Sequence, residues 1–297
     1  FALIVIFSDK KDEIYGVRKY APLIVGSGEH ENFISSDIVS FIDYTDNVIF
    51  LEDKEIVKVT SNSIEIVNFD GDKISRDKTH VAWEAADVSK EEFSHHTIKE
   101  IHEQSSTVQN ALNQDDEEFE GFVKELTSGK NIFITGSGSS FHIALIFRKM
   151  LTKFVNSPVQ AFLSSESEEY IESMNDNAIL IPISQSGETA DLLEVIRNVK
   201  DKGVTVLAIY NTVGSSLSRV SDFSLNLNCG PEIGVAATKS FTSQLAIVYK
   251  IIFKLGNVKD GNEKIIELSN KIKDILSKEK TLQEIIELIN ESNDVYF

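Results

Sequence analysis

Short apolar stretches broken by charged turns fill the chain from Ile14 to about Trp83. Glu13–Arg18, Val48–Leu51, Glu55–Val59 and Ser63–Val67 alternate apolar and polar positions, with a turn signal at Asp70-Gly71. A period of two of this kind predicts antiparallel sheet. Ahead of these runs, Phe1–Phe7 is continuously apolar and stops at Ser8-Asp9-Lys10, which predicts a strand buried on both faces. It lacks the basic flank and small-residue cleavage site of a signal peptide. A buried strand needs neighbours, and Asp294–Phe297 looks like a further strand just beginning. Both ends therefore predict a piece cut from a longer chain.

Residues 87–116 are polar and lose any clear period, holding Lys90-Glu91-Glu92 and Asp115-Asp116-Glu117-Glu118. They predict a linker with helical segments. From Lys130 the texture changes. Strands are predicted at Asn131–Thr135, Val159–Leu163, Ala178–Ser184, Val204–Tyr210 and Phe223–Asn228, with helical patterns between most of them. One helix is expected from about Ser140 to Phe154. In another, Leu192, Leu193, Ile196 and Val199 recur near the helical period and Gly203 marks the stop. Strand and helix in alternation mean a parallel sheet covered on both faces. Amphipathic stretches follow from Glu263 to Leu276 and from Leu282 to Ile289. At 297 residues the chain is about twice a typical domain. The expected organisation is a β-rich unit at 1–86, a linker at 87–116, an α/β unit at 117–257, and connecting helices at 258–297.

Charge narrows the partners. With 29 Lys+Arg against 47 Asp+Glu, the net charge is −18. Such a chain lacks the basic stripe that nucleic-acid backbones demand and the Lys/Arg clusters that hold an anionic membrane. No apolar run approaches the roughly 18 residues of a membrane span. A single cysteine, Cys229, leaves no internal disulfide and no Cys-rich zinc site, so the reducing cytoplasm is the expected compartment.

Three loops of the α/β unit follow strand ends, where open parallel sheets bind ligands. The first is Gly136-Ser137-Gly138-Ser139-Ser140. Its small residues let main-chain N–H groups reach an anion at the start of the next helix. Phe141 stands where a dinucleotide fingerprint would need its third glycine. The second is Ser184-Gln185-Ser186-Gly187-Glu188-Thr189, whose three hydroxyls offer neutral donors to a phosphate. Helix capping by Ser186 or Thr189 is the plainer alternative, but it uses one hydroxyl and not three. The third, Gly230 to Thr242, is a run of small residues ahead of the apolar helix Leu245 to Leu255. It permits close main-chain contact with a ligand or a second subunit; the alternative is a plain loop with Thr238 as helix cap. The histidines define no metal site. His95 and His96 diverge on a helix, and neither they nor His102 and His142 find acidic partners at a useful spacing. Cys229, at a strand end, is expected to be buried.

Taken in order, these segments resemble the glutamine–fructose-6-phosphate aminotransferase (isomerising) family. The residues that carry the resemblance are Ser184–Asp191, Gly230–Gln244, Lys99-Glu100-Ile101-His102-Glu103-Gln104, Pro22–Gly26 and Glu31–Asp37. One motif alone would suggest only a sugar-isomerase (SIS) module; the ordered set runs from Phe1 to Phe297. The resemblance implies a five-stranded parallel flavodoxin-like (SIS) sheet with helices on both faces. Ahead of it would lie the end of an Ntn-type glutaminase domain, and after it the start of a second SIS domain. It implies that Ser137, Gly138, Ser139 and Ser140 form the first sugar-phosphate loop, where many members have Cys-Gly-Thr-Ser. Ser184, Gln185, Ser186 and Thr189 would form the second, and Val235 a main-chain position against the sugar. The implied reaction converts fructose 6-phosphate and glutamine to glucosamine 6-phosphate and glutamate, without cofactor or metal. A homodimer through the SIS domains is also implied. The family's nucleophilic cysteine would precede Phe1 and its isomerase glutamate, histidine and lysine would follow Phe297, so no catalytic residue is assigned. Two rivals remain: a stand-alone SIS isomerase or deaminase, and an SIS-type sugar-phosphate-sensing regulator. The β-patterned first third suits neither.

Overall fold

The computed structural model describes residues 1–81 and 88–294. The expected boundary at 86/87, Trp83, and the last three residues of the stretch Asp294–Phe297 lie outside them.

The first unit is all β. Strands β1 (Ala2–Phe7), β2 (Lys10–Arg18), β6 (Glu55–Val59), β7 (Ile64–Asn68) and β8 (Lys73–Ile74) form one antiparallel sheet in the order β1-β2-β6-β7-β8. Strands β3 (Ile24–Ser27), β4 (Asn32–Ser35), β5 (Asn47–Phe50) and β9 (Thr79–His80) form a second, in the order β4-β3-β5-β9. Alternation decides which side chains meet. Val25 and Ile49 join Val57, Val59 and Ile66 of the first sheet in one core. Their neighbours Ile24 and Val48 turn the other way, onto Ile38, Phe41 and Ile42.

The opening strand corrects one expectation. Leu3, Ile4, Val5, Ile6 and Phe7 are exposed, not buried. Among the described residues β1 pairs with β2 alone, at the edge of its sheet. A continuous apolar run records that a strand is hydrophobic; it does not record which layers cover it.

The stretch expected as a linker carries helix α1 (His96–Asn110), which packs on the later helices α7 (Lys239–Leu255) and α8 (Gly261–Leu276). Lys99, Glu100, Thr107 and Val108 are buried there, so this segment is part of the α/β unit's wall. Helix α2 (Asp116–Leu126) follows, its first N–H groups capped by the Asp115 carboxylate.

The α/β unit holds β10 (Asn131–Gly136), β11 (Val159–Leu163), β12 (Ala178–Ser184), β13 (Thr205–Tyr210) and β14 (Phe223–Asn226). They form one parallel sheet in the order β11-β10-β12-β13-β14. Numbered within the sheet this is 2-1-3-4-5, the flavodoxin-like order. Helices α3 (Ser139–Leu151), α4 (Glu168–Ser173), α5 (Ala190–Lys200) and α6 (Ser216–Val220) connect the strands. Both faces are covered. Ile132 and Ile134 pack with Phe122, Phe147, Ile247 and Ile251, while Phe133 between them packs with Phe162, Leu192 and Ile196. β12 is buried along its whole length, as a central parallel strand must be. Helix α9 (Glu279–Asn290) ends the described chain. Among the described residues no helix is long and apolar enough to cross a membrane.

Two arginines of the α/β unit lie on aromatic rings of the β unit. The Arg197 guanidinium sits 4.1 Å from the Tyr20 ring centre and that of Arg219 5.3 Å from Phe50.

Candidate functional site

In this order, strands are added to one side of β10 and then to the other, so the topology switches between β10 and β12 and a crevice opens at their carboxyl ends. The first two loops singled out from sequence leave the sheet at that point. A cavity of about 340 Å³ lies between them. Ser137, Gly138, Ser139, Ser140, Ser184, Gln185, Ser186, Thr189 and Val235 all line it. The remaining lining residues include Glu232, Gly234, Ser240 and Gln244. No lysine or arginine is among them.

The first loop starts helix α3 at Gly138, which has φ +54° and supplies no side-chain cap. No side chain caps this start: Ser140 N and Phe141 N turn back onto Ser137 O and Gly138 O at 3.2 and 3.1 Å, which leaves Ser139 N for an external acceptor. Ser137 Oγ is buried with no hydrogen-bond partner among the described residues. Ser140 Oγ accepts a 3.1 Å hydrogen bond from Gln244 Nε2, and Gln244 Oε1 is likewise buried with no partner among them.

In the second loop the hydroxyls brace one another. Ser184 Oγ accepts from Gly187 N at 3.0 Å and lies 3.0 Å from Thr189 Oγ1. Ser186 Oγ accepts from Glu188 N at 3.1 Å. Thr189 is the first flanking residue of α5 but makes no capping bond. If Ser184 gives its proton to Thr189 Oγ1, the Ser186 and Thr189 protons both remain for the cavity. The capping alternative thus fails for Thr189, and a second helix start is left open. Glu188 is turned away, accepting from Ser216 N at 2.6 Å and Ser216 Oγ at 2.9 Å.

The third loop is held at three places. Asn211 Nδ2 donates to Gly230 O at 2.7 Å. Glu100 Oε1 accepts from Ile233 N at 2.6 Å and Gly234 N at 2.8 Å. Glu232 Oε1 accepts from Thr238 N at 2.9 Å and Ser240 N at 3.0 Å, and its other oxygen accepts from Ser240 Oγ. Helix α7 begins at Lys239, six residues earlier than its apolar run suggests, and Glu232 takes the capping role that the plain-loop alternative gave to Thr238. This helix start is satisfied by the protein's own carboxylate; those of α3 and α5 are not.

Glu232, Ser240 and Gln244 lie in the segment Gly230–Gln244 singled out from sequence but were not assigned to the site, and Glu100 was given no role. One signal lay in the sequence: Lys239-Ser240 and Ser243-Gln244 are two polar pairs four residues apart at the head of an apolar helix, and all four are buried. The pattern around Glu100 offers none, since it sits in a polar helix with a second glutamate, Glu103, one turn on.

Cys229 is buried, and burial pushes its thiol up to about 12. It is neutral at physiological pH and no nucleophile. His102 stacks on Phe93, and His142 lies exposed on α3. Among the described residues no three His, Cys, Asp or Glu side chains come together as metal ligands would.

Residues 125–253 match the family model of the SIS domain. The chain is 34% identical over 291 residues to the glutamine–fructose-6-phosphate aminotransferase [isomerizing] of Aquifex aeolicus, covering 98% of this chain and 49% of that protein. It is 37% identical over 299 residues to the enzyme of the same name from Caldanaerobacter subterraneus, covering 97% and 49%. The chain thus spans about half the length of the curated relatives it matches. Among solved structures, the C-terminal domain of glucosamine-fructose-6-phosphate aminotransferase from Francisella tularensis superposes with a TM-score of 0.54 and 30% identity, covering 69% of this chain and 62% of that one.

Proposed function

We propose that this chain is the sugar-phosphate-binding portion of a glutamine–fructose-6-phosphate aminotransferase, and that the cavity between β10 and β12 holds fructose 6-phosphate. The observation that carries the proposal is the meeting of two uncapped helix starts and the hydroxyls of Ser137–Ser140, Ser184, Ser186 and Thr189 around one cavity. Helix starts and neutral hydroxyls suit a phosphate dianion without a lysine. On this reading the phosphate sits between residues 137–140 and 184–189, and the sugar extends toward Val235.

The wider assignment follows the resemblance. Residues 1–86 correspond to the end of an Ntn-type glutaminase unit, 87–116 to a connection, 117–257 to a first SIS domain, and 258–297 to helices leading to a second. In the whole protein, hydrolysis of glutamine to glutamate supplies ammonia. Ammonia replaces the ketose carbonyl oxygen, released as water, and isomerisation gives glucosamine 6-phosphate. The residues present here would bind and orient the sugar phosphate; none is assigned a covalent step. A cytoplasmic homodimer joined through SIS domains belongs to the same proposal.

The test is a thermal shift. A ligand that binds the native state stabilises it by RT ln(1 + [L]/Kd), about 2.7 kcal/mol at a hundred times Kd. Fructose 6-phosphate should raise the melting temperature, and fructose at equal concentration should not. Equal shifts with both sugars, or none with either, would sink the proposal.

A further inference from the structure

We infer that Glu100 is a positioning residue for this cavity: through two main-chain N–H groups it fixes the loop that faces the sugar. The inference rests on the sugar-phosphate reading above and adds to it a residue outside the cavity wall. Glu100 is on α1, in the stretch that reads as a linker, and is 3% exposed. Its Oε1 takes both the Ile233 and the Gly234 N–H, at 2.6 and 2.8 Å. Its Oε2 is buried with no partner among the described residues. Burying a carboxylate is costly unless it is hydrogen-bonded, and a helix needing only to pack would do so with an apolar residue. What this carboxylate obtains for its burial is the conformation of residues 233 and 234.

The contact is close. A Cβ on Gly234 would lie 2.4 Å from Glu100 Oε2 and 2.7 Å from Thr97 Oγ1, so the loop main chain lies directly against the helix. The next residue, Val235, lines the cavity with its side chain fully exposed. On the sugar-phosphate reading the main chain of this loop meets the sugar at Val235, and main chain is what Glu100 holds. One turn further along α1, Glu103 Oε2 receives Lys239 Nζ at 2.6 Å, where α7 begins. Helix α1 thus grips the loop near its middle and again at its end. The phosphate donors at 137–140 and 184–189 make no hydrogen bond to Glu100 among those found. Changing Glu100 should move the sugar-facing wall and leave the phosphate cradle in place.

The experiment titrates wild type, Glu100→Ala and Glu100→Gln with fructose 6-phosphate and with inorganic phosphate. Glu100→Ala should weaken fructose 6-phosphate about tenfold or more, since two charge-assisted bonds to the loop are lost. Inorganic phosphate should bind all three within about twofold, by the same reasoning. Glu100→Gln keeps an acceptor oxygen and should recover most of the affinity. Amide exchange without ligand gives an independent readout: the Ile233 and Gly234 N–H groups should exchange faster in Glu100→Ala. Unchanged exchange overturns the positioning role whatever the ligands do. So does an equal loss of affinity for both ligands, or wild-type affinity for fructose 6-phosphate in Glu100→Ala. Wild type that binds neither ligand overturns the sugar-phosphate reading itself.

Discussion

Replacing Ser186 or Thr189 by alanine is expected to weaken fructose 6-phosphate binding about ten- to a hundredfold. A hydrogen bond to a charged acceptor contributes roughly 1.5–3 kcal/mol, and about 1.4 kcal/mol is a factor of ten in affinity. Ser186 Oγ accepts from Glu188 N and so keeps its own proton for the cavity, and Thr189 keeps its proton when Ser184 is the donor between them. Were these side chains only helix caps, their loss would cost about 1 kcal/mol of fold stability and leave intrinsic affinity alone. Calorimetric titration alongside melting curves separates the two cases. Variants that melt lower but bind as wild type would remove the phosphate role from this loop.

The largest loss of stability at the site is expected from Gly187→Ala. Gly187 has φ +67°, a conformation that costs an L-residue about 1–2 kcal/mol. The added Cβ would lie 2.2 Å from Ser215 Oγ and 2.7 Å from Ser215 Cβ. Ser215 cannot yield freely. It is fully buried, and its Oγ caps α6 by accepting from Ser218 N. Overpacking of this kind adds about 1–3 kcal/mol, so the total is about 2–5 kcal/mol. At roughly 2–4 °C per kcal/mol for a protein of this size class, the melting temperature should fall on the order of ten degrees. Sugar-phosphate affinity should fall with it, since Gly187 N is the donor that orients Ser184 Oγ. A variant melting within a degree or two of wild type would show that the loop relaxes without resistance.

The sheet was legible because a parallel strand buried on both faces must be apolar throughout. Ala178–Ser184 is buried at every position and stands in the structure with the bounds its apolar run suggests. The loops were legible for a related reason. In an alternating α/β chain, the residues after each strand gather at one edge, so Gly136–Ser140 and Ser184–Thr189 had to be neighbours if their strands were. The exposure of β1 was not legible, because seven apolar residues look the same on a sheet edge and in a core. Nor was the start of α7. Its first six residues are mostly polar although four of them are buried, so the apolar period begins only at Leu245. Glu100 and Glu232 act on main-chain N–H groups far along the chain or around a loop, and no periodicity records such partners.

The central claim is that the crevice between β10 and β12 is a sugar-phosphate site. It is tested most directly by a structure of the chain with fructose 6-phosphate bound. The phosphate should lie within hydrogen-bond reach of the Ser186 and Thr189 hydroxyls and of the main-chain N–H groups that open α3, with the sugar toward Val235. Phosphate density at any other place, with this cavity empty at a concentration where binding is measured in solution, would contradict the account.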